Sequence, residues 1–161
     1  MNKIYTRTGD IEHTSLGDGT RVKKTSLQIE VSGNIDELIA YIDHLKVKSL
    51  YHEVLNKVIS DLYVIGKDVS CKPHKAEDFM SNAVKELEDL IDKFGSKFGG
   101  FVSPTNEIAS RCNLCRVVSR RLERSYLKWE ESLYPEQRNI QVQKYFNRLS
   151  DLFYTLMVKF N

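Results

Sequence analysis

Apolar residues recur every three or four positions along most of this chain, and that spacing limits the fold more than any other feature. One face of an α-helix repeats with the same spacing. The pattern starts near Ile35 and continues, with short interruptions, to the carboxyl end. No part of the sequence gives a convincing pair of strands, so we predict an all-α fold.

Capping residues, glycines and prolines divide the periodic region into five predicted helices. The predicted segments are about 34–45, 52–70, 76–94, 106–133 and 135–161. Asn34 and Asn106 are the expected N-caps, and Pro135 suits the first turn of the last helix. In the third helix the residues expected to face inward are Phe79, Ala83, Leu87, Leu90 and Ile91. The short connections favour an antiparallel five-helix bundle.

Composition sets limits on the class of protein. A chain of 161 residues fits one domain, 1–161. The 24 basic and 22 acidic side chains leave a net charge of +2, too small to coat a nucleic acid. Three cysteines cannot all pair with one another, and the amino terminus lacks the apolar core of a signal peptide. No apolar run approaches the roughly 20 residues that span a bilayer. We therefore expect a soluble cytoplasmic protein.

The first 33 residues are rich in Thr, Gly, Asp and Lys and lack a helical period. We predict an ordered but irregular loop with short extended pieces. Thr6, Thr8 and Gly9 could surround phosphate oxygens with hydroxyl and backbone N–H groups. The segment is not a Walker A loop, because no Gly-Lys-Ser/Thr follows. Runs of Thr and Gly are also common in ordinary turns.

The fourth predicted helix holds five arginines between Arg111 and Tyr126. Its charged stripe contains Asn113, Arg116, Arg120, Glu123 and Arg124. The stripe borders the apolar arc, and the planar guanidinium fork matches phosphate or carboxylate oxygens. An anion site is one interpretation. An ordinary salt-bridged helix is the other.

The fifth helix carries a second polar stripe, formed by Asn147, Asp151 and Tyr154. It is consistent either with a functional site or with a buried polar pair between helices. Cys112 and Cys115 form a C-x-x-C motif, but no further ligands at suitable spacing complete a zinc site. The four histidines are scattered. We predict no metal site.

Five segments in this order resemble one family: YTRTGD, TSLGDGTRVKK, GNIDEL, RVVSRRLER and NRLSDL. Together they resemble the PduO-type ATP:cob(I)alamin adenosyltransferases from residue 4 to residue 161. The resemblance implies a homotrimer of five-helix bundles, with ATP held between the amino-terminal loop of one subunit and the arginine helix of the next. It implies no nucleic acid and no membrane partner.

The resemblance also implies site residues. Those matching the nucleotide loop are Thr6, Arg7, Thr8, Gly9, Thr14, Ser15 and Lys24. Those matching its second wall are Arg120, Arg121, Glu123, Arg124 and Asn147. Asp36 matches a carboxylate that pairs with Arg116 across the subunit boundary, and Phe101 matches the aromatic residue beneath the corrin. Arg116, Arg120, Asp36 and Phe101 are the residues expected to support catalysis.

The implied reaction transfers the 5′-deoxyadenosyl group of MgATP to cob(I)alamin and releases triphosphate. The implied substrates are ATP, with Mg²⁺, and cob(I)alamin. The sequence departs from the family at Ile11 and Glu12, where a lysine and a glycine are usual. The alternative is therefore a non-catalytic relative that binds a corrinoid or nucleotide. An RNA-binding bundle is disfavoured, because no aromatic residues alternate with the arginines.

Overall fold

The computed structural model describes residues 5, 7, 9–71, 77–95, 100 and 102–161, with Glu77 and Asp78 described in their backbone only. The helices are Leu27–Lys46 (α1), His52–Ser70 (α2), Glu77–Phe94 (α3), Glu107–Glu131 (α4) and Ile140–Phe160 (α5). The predicted all-α, five-helix fold is confirmed. A short 3₁₀ turn, Pro135–Gln137, connects α4 to α5.

A small antiparallel hairpin precedes the helices, in the region predicted to be an irregular loop with short extended pieces. Its strands are His13–Ser15 (β1) and Arg21–Lys23 (β2), with Thr14 opposite Val22. Asp18 accepts a hydrogen bond from the backbone N–H of Thr20 at 2.9 Å, and Gly19 adopts a φ of 85°. Strands of three residues are too short to show a two-residue period, so the sequence pattern did not reveal their bounds or their pairing.

The prediction that α1 starts at Asn34 is wrong. Ser26 is the N-cap, and its hydroxyl accepts a hydrogen bond from the N–H of Ile29 at 3.4 Å. Asn34 lies inside the helix, where its amide donates to Ser125 Oγ of α4 at 2.9 Å. Both residues are good caps, and the buried Val31 extends the apolar face to the earlier one.

The start of α5 also differs from the prediction. Pro135 belongs to the 3₁₀ turn, and Asn139 caps α5 by accepting from the N–H groups of Gln141 and Val142 at 3.0 and 3.3 Å. The buried carboxylate of Glu130 accepts from the Asn139 N–H at 2.6 Å. This contact fixes the corner between α4 and α5. The predicted cap of α4 is confirmed, since Asn106 Oδ1 accepts from the Ala109 N–H at 2.9 Å.

The helices pack with α4 between α1 and α5, α3 against α5, and α2 against α1. Fully buried side chains from these helices include Leu38, Leu62, Met80, Leu122 and Phe146. The predicted inward position of Phe79 is wrong: its ring is 42% exposed, and Met80 takes the core position. No described helix combines the length and the apolar composition needed to span a bilayer.

Candidate functional site

Two of the five arginines of α4 form salt bridges within the chain. Arg111 pairs with Glu107 one turn earlier at 2.5 Å and also donates to the His44 carbonyl of α1. Arg121 pairs with Glu37 of α1. These pairs match the salt-bridged interpretation of the arginine segment. The predicted nucleotide contact of Arg121 stays a prediction.

The other three, Arg116, Arg120 and Arg124, form what we call the arginine row. None has a salt bridge within the part of the chain that the structure describes. Arg116 Nε donates to Asn113 Oδ1 at 3.0 Å, and Arg124 Nη1 donates to the Arg120 carbonyl at 3.0 Å. Three guanidinium groups that form no salt bridge with a described carboxylate make this face of α4 attractive to a polyanion.

Polar residues of α5 lie beside the arginine row. Asn147 Nδ2 donates to Glu123 Oε1 at 3.2 Å, which brings together two of the predicted site residues. Arg148 donates to Asn147 Oδ1 at 2.6 Å and pairs with Glu88 of α3 at 2.9 Å. The exposed Asn147 is thus held on both sides, and it does not form the buried polar pair considered from the sequence.

Asp151 responds to the charges of this face. Partial burial raises the pKa of its carboxyl group, and Glu123 acts in the same direction. The positive charges of Arg148 and Arg120 oppose this rise in pKa. Asp151 therefore interacts electrostatically with Arg120, although the two side chains form no salt bridge among the described residues.

The predicted nucleotide loop and the hairpin form one unit. Lys24 Nζ donates to the Gly9 carbonyl, and the Lys24 N–H donates to the Glu12 carbonyl at 2.8 Å. Ser15 Oγ accepts from Arg21 at 3.3 Å. Arg7 adopts a φ of 60°, a left-handed conformation that few residues other than glycine adopt, and its carbonyl accepts from the Asp10 N–H. Thr6 and Thr8 lie outside the described residues.

The hairpin is attached to the carboxyl end of α2. The Gly17 N–H donates to the Ser70 carbonyl at 2.9 Å, and Gln28 Nε2 donates to the Val69 carbonyl at 2.6 Å. Carbonyls at a helix end lack partners inside the helix, so both contacts satisfy groups that need them. A Cβ on Gly17 would lie 3.2 Å from Cys71 Sγ. Sequence reasoning missed Gly17 and Gln28, because their partners belong to another element.

Within the described ranges, the hydrogen bonds of Lys24 and Gly9 do not reach the arginine row. All the hydrogen bonds of Lys24 and Gly9 in the described ranges go to neighbouring loop residues. The exposed Asp36 lies on α1, beside a cleft of about 200 Å³ between α1 and α2 that Tyr63 and Lys67 also line. Asp36 has no salt bridge in the described ranges, so its predicted partner Arg116 is not reached within this chain.

The two cysteines of the C-x-x-C motif are buried. Burial raises the pKa of the Cys112 thiol to about 12. Burial and the neighbouring Cys112 raise the pKa of Cys115 further. Metal binding needs thiolates, and the described residues contain no group of three or more metal-ligating side chains. These thiols fill space in the core.

Comparisons with known proteins identify the family of the chain. The family model described as cobalamin adenosyltransferase matches residues 4–160. A cobalamin adenosyltransferase of Cupriavidus metallidurans is 32% identical, over 97% of this chain and 86% of that protein. A corrinoid adenosyltransferase of Citrobacter freundii is 29% identical, over 97% of this chain and 93% of its own length.

Solved structures show the same fold. A variant of the PduO-type ATP:corrinoid adenosyltransferase from Lactobacillus reuteri, complexed with cobalamin and ATP, superposes with a TM-score of 0.83 at 22% identity, over 98% of this chain and 90% of that one. Another variant of that protein, complexed with ATP, superposes with a TM-score of 0.79 at 26% identity, over 96% of this chain and 92% of that one. Because the family model covers nearly every residue, the chain belongs to the cobalamin adenosyltransferase family.

Proposed function

We propose that this chain transfers the 5′-deoxyadenosyl group of MgATP to cob(I)alamin, acting as a cytoplasmic homotrimer. The observation that carries the proposal is the arginine row, whose three guanidinium groups have no salt bridge in the described part of the chain. The solved relatives, which are complexed with ATP or with cobalamin and ATP, support the choice of substrates.

The reaction forms a bond between cobalt and the ribose C5′ and breaks the bond between C5′ and the triphosphate oxygen. The electron pair of that bond leaves with the triphosphate, whose negative charge grows as the bond breaks. Fixed positive groups that face this charge stabilise the transition state more than the ground state. In this chain the arginine row supplies them, and Glu123 and Asn147 hold the neighbouring surface in place. No protein nucleophile is required.

The site is proposed to form between two subunits. Lys24 and Gly9 contact each other in the loop unit, and Arg116 and Arg124 hydrogen-bond only within α4 in the described part of the chain. A second copy would bring its loop to the arginine row and its Asp36 to Arg116. Such head-to-tail contacts close into a ring when the rotation permits. Thr6, Arg7, Thr8, Thr14 and Ser15 are the further loop residues assigned to the triphosphate.

Replacing Asp36 by alanine is expected to weaken trimer assembly without unfolding the subunit. Asp36 is exposed and has no salt bridge in the described part of the chain, so its removal should leave the stability of the subunit almost unchanged. A charge pair buried between subunits is worth more, about 2 to 5 kcal/mol. Sedimentation velocity over a dilution series should show dissociation at concentrations at which the wild type stays assembled. A trimer unchanged on dilution would contradict the proposed role.

Replacing Ile11 by lysine is expected to tighten ATP binding. Ile11 is 76% exposed in the loop unit, next to the exposed carboxylate of Glu12. A lysine there adds a cation on the surface assigned to triphosphate, worth about 1 kcal/mol, or about fivefold in Kd. Isothermal titration with MgATP measures the change, and Ile11→Gln controls for side-chain length. Equal affinity in the lysine and glutamine variants would contradict a phosphate-facing position.

The function itself is tested with purified protein, MgATP and chemically reduced cobalamin under anaerobic conditions. Formation of light-sensitive adenosylcobalamin supports the proposal. No product at millimolar ATP, combined with retained corrinoid or nucleotide binding, favours the non-catalytic alternative. The presence of Ile11 and Glu12 favours that alternative, because a lysine and a glycine are usual at these positions. The two replacements remove a cation from the loop and add an anion.

A further inference from the structure

Side chains near the end of α5 hold the segment that enters α4. Tyr154 donates its hydroxyl to the Gly100 carbonyl at 2.6 Å. Asn161 donates to the Ser103 carbonyl at 3.2 Å and accepts from the Thr105 N–H at 2.6 Å. We call Tyr154 and Asn161 the α5 clamp. They hold the backbone on both sides of position 101, which itself lies outside the described residues.

The backbone that the clamp holds has a specific conformation at Gly100 and specific hydrogen bonds at Thr105. Gly100 has a φ of 98°, which residues with a Cβ rarely adopt, and its carbonyl meets the Tyr154 hydroxyl. On the other side of position 101, Thr105 donates both its N–H and its hydroxyl to Asn161 Oδ1, at 2.6 and 2.8 Å. Backbone groups in a loop need such partners when no regular structure supplies them.

We infer that Tyr154 and Asn161 are positioning residues for the corrinoid, acting through the segment between Gly100 and Thr105. This inference rests on the proposed function and on the role beneath the corrin that the family resemblance implies for Phe101. Alignment between reacting groups tolerates little error, and a displacement of about 1 Å can cost about 100-fold in rate. The residues of α5 from Leu149 to Met157 are largely buried, so the core holds this helix in place. The clamp attaches to this helix a loop that has no core of its own.

Tyr154→Phe removes a single oxygen and keeps the ring. Its expected effect is a roughly tenfold fall in kcat/KM for cob(I)alamin, with KM for ATP unchanged, because the ATP site uses other elements. Asn161→Ala should act in the same direction. The matched control is Tyr134→Phe, the same chemical change at a ring that is 71% exposed in the connection before α5.

Hydrogen exchange tests the clamp without any substrate. In the ligand-free protein, Tyr154→Phe and Asn161→Ala should speed amide exchange in segment 100–106 by about fivefold, the change expected from losing one hydrogen bond. Exchange in the middle of α2 should stay at the wild-type rate. Tyr134→Phe should change neither exchange in 100–106 nor kcat/KM for cob(I)alamin.

The outcomes separate the clamp from the proposed function. Unchanged exchange in both clamp variants overturns the clamp. Faster exchange with unchanged kcat/KM for cob(I)alamin overturns the positioning role, because the hydrogen bonds are then only structural. A wild-type protein that makes no adenosylcobalamin refutes the proposed function and with it the positioning role, while the exchange measurement still decides whether the clamp exists.

Discussion

Replacing Arg120 by alanine is expected to lower kcat by about 100- to 1,000-fold, the usual cost of removing one preorganised group that stabilises transition-state charge. Arg120 lies in the middle of the arginine row, is exposed, and has no salt bridge in the described ranges. Folding therefore does not depend on it. Single-turnover kinetics with saturating MgATP and cob(I)alamin would measure the change in the chemical step.

Two further variants sharpen this test. Arg120→Lys keeps the charge but loses the planar fork, so its rate should fall between those of the wild type and Arg120→Ala. Arg138→Ala is the matched control, because Arg138 is also exposed and, among the described residues, its side chain donates to the carbonyls of Glu131 and Leu133. Its kcat should equal that of the wild type.

The assembly of the Arg120→Ala variant must be checked beside its rate. Sedimentation should show the same oligomer as the wild type, since the proposed subunit contact uses Arg116 and Asp36. Dissociation of the variant would show that Arg120 acts in assembly and not in catalysis. Unchanged activity of the variant would show that Arg120 does not stabilise the transition state. The arginine row would then need another explanation.

The sequence was sufficient to predict the number of helices, because each helix buries one apolar face and that face repeats every three to four residues. Helix starts were less certain. Ser26 and Asn34 are both good caps, and only the packing of Val31 in the core decides between them. Pro135 suits a first helical turn, but the buried Glu130 binds the backbone of Asn139, and α5 begins after it.

Part of the candidate site was also predictable from the helical period of the sequence. The helical period placed Arg116, Arg120 and Arg124 on one side of α4, and the structure agrees. It could not tell which arginines have partners, since Glu37, the partner of Arg121, lies 84 positions away in the sequence. The hydrogen bond from Tyr154 to Gly100 spans 54 positions, so the sequence could not predict it either.

The sequence also did not predict a polar network that is buried at Asp61 and Tyr145, half-buried at Lys57 and exposed at Glu86. Lys57 of α2 contacts both carboxylate oxygens of Asp61, at 2.7 and 2.9 Å, and Glu86 of α3 at 2.8 Å. The fully buried Tyr145 of α5 donates to Asp61 Oδ2 at 3.1 Å. The network connects three helices. Burial lowers the pKa of Lys57, but hydrogen bonds and charges from Asp61 and Glu86 outweigh it, so the pKa is raised.

Lys57→Met is expected to reduce the free energy of unfolding by about 2 to 3 kcal/mol. The variant leaves the Asp61 carboxylate, only 2% exposed, without a cation. Breaking a buried ion pair costs about 3 to 5 kcal/mol, and the lower figure applies because 41% of the Lys57 side chain is exposed. Urea denaturation at pH 7 measures the loss, and Lys46→Met, which breaks the more exposed pair with Asp43, should cost under about 1 kcal/mol.

The double variant Lys57→Met, Asp61→Asn isolates the cause. Asparagine keeps an oxygen for the Tyr145 hydroxyl and removes the unpaired charge, so the double variant should be more stable than Lys57→Met alone. The raised pKa of Lys57 also fixes the sign of the pH dependence. Its charge stabilises the fold at every pH below its ordinary pKa of 10.5, and the gap between wild type and Lys57→Met should close only as pH rises through the higher folded pKa. A Lys57→Met variant as stable as the wild type would show that the Asp61 carboxylate is satisfied by the Tyr145 hydroxyl alone.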